Sequence, residues 1–286
     1  MHTAMTMGMG MVGSSTTRRI GMFDYDFMRH AFVAAAVVAV VAGLVGYFLV
    51  LRGQTFAGHA LAHVGFTGAT GAVLVGASPL AGLVVATVAA GVGMGFAGER
   101  LAQRDVAIGM VLSLALGFGL LFLHFFTAYA TQVTALLFGN VLAVDVDTLW
   151  VLLALGGVSL VALGVIARPL LFASLQPELA EAKGVNLRLF AVMFLAIVAL
   201  ATAECAQIVG VLLVFTLMVG PAAAAQQLTS RIGWGLLVSA GLALAEAWGG
   251  IALAYWTDWP SSFWITALSA GVYLAAVGGN TRKWMA

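Results

Sequence analysis

"AFVAAAVVAVVAGLVGYFLVL", residues 31–51, carries no charge, and its one polar side-chain group is the phenol of Tyr47. A helix that crosses a bilayer needs roughly 17–25 apolar residues, and this run supplies them. It lacks a convincing small-x-small cleavage site, so it reads as an uncleaved span rather than a signal peptide. The same composition continues down the chain. Of 286 residues, 63% are hydrophobic and 8% charged, where an ordinary soluble domain carries roughly 25% charged residues. Such a chain cannot cover itself with a water-facing surface, so its solvent must be largely lipid.

Further apolar runs near 54–76, 79–98, 106–127, 147–167, 188–204, 207–228, 233–256 and 261–279 follow the first, near 28–51. The expected fold is all-α: a polytopic membrane helix bundle of about nine transmembrane helices spanning 28–279. The stretch "TQVTALLFGNVLAV", 131–144, is apolar but short. It reads as a re-entrant piece or a tenth, very short span. Residues 1–27 read as a flexible tail whose alternating methionines are at most weak soft-metal donors, with Met22 an alternative start. Residues 280–286 read as a C-terminal tail.

Charge placement sets the orientation. Arg52, Arg100, Arg104, Arg168, Lys183, Arg188, Arg231, Arg282 and Lys283 fall in alternate loops of a nine-span chain. The other loops hold Asp145, Asp147, Glu204 and Asp258. The positive-inside rule makes the first set cytoplasmic. The C-terminus is then inside and the N-terminus outside, with Arg18, Arg19 and Arg29 against the rule. The expected location is the cell (inner) membrane, multi-pass. The net charge of +1 gives no field for a nucleic-acid partner. The lone cysteine, Cys205, excludes an internal disulfide and a thiolate cluster, and reads as a small apolar filler.

Within the second span, "GHALAHVGFTGATG" (58–71) places His59 and His63 four residues apart, on one helix face. At about 1.5 Å per residue from Arg52 they lie roughly 10 and 16 Å deep, near the bilayer midplane. Polar side chains at that depth face the bundle interior or a water-filled path. Two neutral imidazoles there suit a borderline metal, or a pair of interhelical hydrogen bonds. Ala60 follows the first histidine, so the glutamate of the metalloprotease box is missing. "GMGFAG" (93–98) fits a dinucleotide fingerprint by letter but ends an apolar span, so the context is wrong. Gly91, Gly93 and Gly95, like Gly65, Gly68 and Gly71, read as small residues for close helix packing. The chain contains no P-loop pattern, so any ATP-driven work needs another chain.

Glu246 lies inside a span and Glu204 near an outer end; intramembrane carboxylates are candidates for an ion path. His124 sits near the outer end of its span. Pro221 would interrupt its helix and free carbonyls. Between Arg168 and Arg188, Pro177 can start a short helix with Glu178, Leu179 and Glu181 in its turns, and Gly184 can end it. A capped cytoplasmic helix over about 174–186 suggests a docking element.

Several segments together resemble the membrane permeases of zinc- and manganese-type metal-uptake ABC transporters. "GHALAHVGFTG" (58–68) is similar to that family's Gly-Asp-x-x-x-His segment, and "LLFGNVLAV" (136–144) to its LFGxxLAV stretch. "LQPELAEAKGV" (175–185) is similar to its S-P-E-L-A-x-x-x-G-V segment, and "VGVLLVFTLMVGPAAAA" (209–225) to its VGxLLV…PAAxA span. The likeness covers about residues 23–279. It implies a homodimeric permease working with two cytoplasmic ATP-binding subunits and an extracytoplasmic metal-binding protein. On that reading the segment around Pro177–Val185 couples to the ATPase and His63 is a metal ligand. His59 stands where the family commonly has Asp. The expected substrate is Zn2+, with manganese or iron import as the alternative and an intramembrane metalloenzyme, which would need further ligands and a general base near His63, as the reading behind it; no cofactor is held permanently.

Overall fold

The computed structural model describes Met22 and residues 25–96, 101–125, 137–139 and 141–284. They form ten α-helices: α1 (Asp26–Leu51), α2 (Thr55–Leu74), α3 (Pro79–Phe96), α4 (Leu101–His124), α5 (Val146–Leu175), α6 (Pro177–Ala182), α7 (Leu187–Val209), α8 (Val211–Leu228), α9 (Ile232–Thr257) and α10 (Ser261–Trp284). A 3-10 turn at Val141–Ala143 precedes α5, and the described residues contain no strand.

Eight of the helices are long and apolar enough to cross a membrane. The ninth long helix, α2, falls short because it carries two imidazoles, three hydroxyls and several glycines. It is sheltered on several sides by α3, α4, α7 and α8, so lipid does not dictate its composition. The centre of the bundle is α1 with α7: 67% and 61% of their most apolar stretches are buried, against 17% in α4 and in α10. The rim helices turn Val106, Met110, Leu114 and Leu120 (α4) and Val158, Val161 and Val165 (α5) outward. That is the inside-out of a soluble bundle and fits a hydrocarbon surround.

Between the helices, association rests on small residues and a few hydrogen bonds, as expected where lipid is as apolar as leucine. Gly68 on α2 meets Gly82 and Ala86 on α3, and Gly46 on α1 meets the Met218 carbonyl on α8. Ser239 Oγ on α9 donates to the Gly43 carbonyl on α1 at 2.7 Å. Thr67 Oγ1 on α2 donates to the Ala115 carbonyl on α4 at 2.6 Å. Cys205 is a fully buried free thiol, as its reading as a filler requires. Asp145 caps α5 by accepting from the Thr148 N–H at 2.8 Å, and its bonds to Thr148 hold its carboxyl below the usual carboxylate range.

The described ends of the helices sort into two sets. Arg52, Gln54, Gly95, Ala173, Pro177 and Arg188 border one cavity of about 270 Å³. Met28, Phe138, Leu142, Tyr255, Asp258 and Ser262 border another of about 480 Å³. Each set contains only residues that the nine-span reading places at one side of the membrane.

Several expectations need correction. Helix α5 continues through Arg168 and Pro169 to Leu175, so the connector to α7 starts at Gln176, later than expected. Helix α7 does not stop at 204; it runs to Val209, where Gly210 at φ +79° breaks it from α8. Gly139, at φ +75°, packs its backbone against Gly210, and a Cβ on either would collide with the other. Pro221 does not interrupt its helix: α8 runs unbroken from Val211 to Leu228, with Pro221 buried inside it. Gly93 meets no neighbour within 4 Å, unlike Gly91 and Gly95. Residues 280–284 continue α10 rather than forming a tail. Of the short stretch 131–144, residues 131–136 and 140 lie outside the described residues; the 3-10 turn at its end packs on α1 and α7. The tail residues 1–21, 23 and 24 also lie outside the described residues.

Candidate metal-pathway site

Helix α2 leaves α1 through a tight turn with Gly53 at φ +60°, where Gln54 N–H reaches back to the Leu49 carbonyl at 2.9 Å. This fixes where α2 begins, and with it the height of His59 and His63. The two rings lie 4.8 Å apart, centroid to centroid, at 82°. Phe215 of α8 stands edge-on to His59 at 5.4 Å. Both histidines are half-buried while most of their helix neighbours are buried. Thr67 Oγ1, one turn above His63, lies 3.3 Å from the His63 carbonyl and ties that turn to α4. The pair is therefore held by packing on two sides and open on part of a third.

Chemically this is two nitrogen donors in a mostly apolar setting. Neutral imidazole suits zinc, copper, iron and nickel better than it suits manganese. Among the described residues, no third His, Cys, Asp or Glu gathers with the pair. Two ligands are half of a closed zinc site, an arrangement that can pass an ion on rather than keep it.

The other expected residues are dispersed. Glu204 is fully buried on α7, its carboxylate facing Gly156 of α5, and neither oxygen has a hydrogen-bond partner among the described residues. It lies five residues inside the end of its helix, not in a loop. Glu246 on α9 is 2% exposed and lies beside Ser269 of α10. His124 is exposed at the end of α4, its ring 5.6 Å from that of Phe125. None of the three is brought to His59 and His63 within this chain. Phe215 and Thr67, which hold the pair, were not singled out by sequence reasoning. Nothing in the pattern separates them from other apolar or hydroxyl residues; only packing does.

On the same side as the turn that starts α2 lies α6: Pro177 borders the cavity that Arg52 and Gln54 line. Pro177 occupies its first turn, where a missing N–H costs nothing. Gly184, at φ +83°, ends it: Gly184 N–H reaches the Glu181 carbonyl at 2.9 Å and Val185 N–H the Ala180 carbonyl at 3.0 Å. Ala180 is fully buried and anchors the helix, while Glu178, Leu179 and Glu181 point outward, Leu179 being 46% exposed.

A lipid-facing helical bundle with a half-open donor pair inside and a capped amphipathic helix at one end defines a class: a multi-pass membrane permease. The chain belongs to the ABC 3 transport family, which it matches over residues 24–279. It is 28% identical over 270 residues to the "Manganese transport system membrane protein MntC" of Halalkalibacterium halodurans, covering 92% of each chain. It is 33% identical over 265 residues to a "Probable metal transport system membrane protein" of Treponema pallidum, covering 91% of this chain and 98% of that one. Its fold is similar to a chain of PsaBC from Streptococcus pneumoniae solved in complex with Fab, with a TM-score of 0.79 at 24% identity, over 90% of this chain and 92% of that one.

Proposed function

We propose that this chain is the permease subunit of an ATP-driven importer of divalent metal ions, with zinc as its main substrate. It takes the ion from an extracytoplasmic metal-binding protein, and separate cytoplasmic subunits hydrolyse ATP. The observation that carries this reading is the His59–His63 pair, two imidazoles 4.8 Å apart on a sheltered helix. Imidazole-only donors favour zinc, because manganese prefers carboxylate and carbonyl oxygen. A second copy of the chain, facing the first as a homodimer, would supply the remaining ligands from its own pair.

Manganese, with iron beside it, is the second reading. It is supported by the names of relatives such as the H. halodurans protein, which is described as a manganese transport protein. Against it stands His59, an imidazole where a carboxylate would serve manganese better.

The test is metal uptake by the complex in proteoliposomes. His63→Ala should reduce zinc uptake to background while the chain still assembles with its ATPase. Unchanged zinc uptake in that variant would remove the pair from the ion path.

A further inference from the structure

We propose that Arg52 is a positioning residue that ties the segment entering α6 to the helix carrying His59 and His63; this rests on the import reading above. Arg52 opens the turn out of α1, three residues before α2 begins. Its Nη1 donates to Ser174 Oγ at 2.7 Å. Ser174 lies in the last turn of α5, three residues before Pro177 opens α6. Its hydroxyl proton is directed to the Leu170 carbonyl at 2.5 Å, which leaves its lone pairs for the guanidinium. The same guanidinium lies 5.5 Å from the ring of Phe194, a fully buried residue of α7.

This contact matters because of what the surrounding packing does not supply. Helix α6 packs on α5 and α7, while α2 packs on α3, α4, α7 and α8; among the described residues α2 has no extensive contact with α5 or α6. Around the link, the cavity bordered by Arg52, Gln54, Gly95, Pro177 and Arg188 holds about 270 Å³. That is room for the end of α5 to shift against the start of α2. A displacement of α6 by a docked ATPase therefore reaches the start of α2 at Arg52 by a charge-assisted hydrogen bond, beside the packing of α7 on α5, α6 and α2. A shift at Arg52 passes through the tight turn at Gly53, which the bond from Gln54 N–H to the Leu49 carbonyl holds, and then along α2 to the histidine pair. Helix α2 begins at Thr55 after that turn, and His59 lies four residues into it, about 6 Å at 1.5 Å per residue.

The experiment reconstitutes the permease with its ATPase subunits and metal-binding protein and reads zinc ions moved per ATP hydrolysed. Ser174→Ala keeps the helix and removes only the acceptor; the ratio should fall about tenfold, the weight of one hydrogen bond to a charged group. ATP hydrolysis itself should continue. Ser174→Thr restores a hydroxyl at the same place and should recover the ratio. Arg52→Lys keeps the charge without the fork and should behave like Ser174→Ala. Combining it with Ser174→Ala should cost no more than either alone, because both remove one link. A merely structural role would lower the amount of assembled complex and leave the ratio intact. A wild-type ratio in Ser174→Ala, or additive losses in the double variant, overturns the joint. Failure of the wild-type complex to move zinc, manganese or iron overturns the import reading instead.

Discussion

His59 and His63 show how much a single residue type decides in lipid. An imidazole that deep is expensive unless it has a task, and these two are held edge to face with a phenylalanine against one of them. Their spacing made the pair legible from sequence, since i and i+4 share a helix face whatever the tertiary fold. Glu204 was legible as unusual but not in its place. An acid near the end of an apolar run looks like a border, while the true stop is Gly210, which the backbone needs at φ +79°. Glycines make the same point in a form that can be measured. Gly68 and Gly93 look alike in the sequence, yet a Cβ on Gly68 would strike Gly82 and Ala86, and one on Gly93 meets open space. Gly68→Ala should cost about 1–3 kcal/mol through overpacking. Gly93→Ala should gain about 0.5–1 kcal/mol through helix propensity. Thermal unfolding of the two variants in detergent reads the difference, and a loss in both would show that the packing around α3 is not as described.

Among the elements, α6 is the one that the proposed function assigns to contact with another protein. It is six residues long, stopped at both ends by its own sequence, and fastened through Ala180. Its start and stop could be read in advance because proline and glycine have fixed backbone consequences. Its outward face could not, since a six-residue helix has too few turns for a periodic pattern. The exposed Leu179 is the part a partner would cover. Leu179→Asp should leave the bundle intact and weaken ATPase association at least tenfold in a co-purification assay. Ala182→Pro, which denies the helix its last turn, should leave the spans folded and uncouple hydrolysis from uptake. Normal transport by Ala182→Pro would remove α6 from the coupling role. The long helices were easier: apolar runs mark them, and errors fell at boundaries where a helix continues beyond the lipid, as α5 does past Arg168.

At the scale of the molecule, the nine long helices among the described residues bring Arg52 and Arg188 to one set of helix ends and Asp258 to the other. A cysteine at Asp147 should react with an impermeant label from outside, and one at Lys183 only from inside. Labelling of Lys183→Cys from outside would reverse the orientation. Helix α2 is less apolar than the other eight spans through its imidazoles, hydroxyls and glycines, which its sheltering by α3, α4, α7 and α8 permits, so hydropathy alone understates it. That same sheltering makes it the helix on which the choice of ion can rest. The proposed zinc preference rests on His59, whose imidazole in place of a carboxylate would turn the path toward zinc. The most direct measurement offers zinc and manganese together to proteoliposomes holding the wild-type complex or the His59→Asp variant. We expect wild type to take up zinc in preference, and His59→Asp to keep transporting with its preference moved toward manganese. Equal metal preference in the two proteins would contradict the claim.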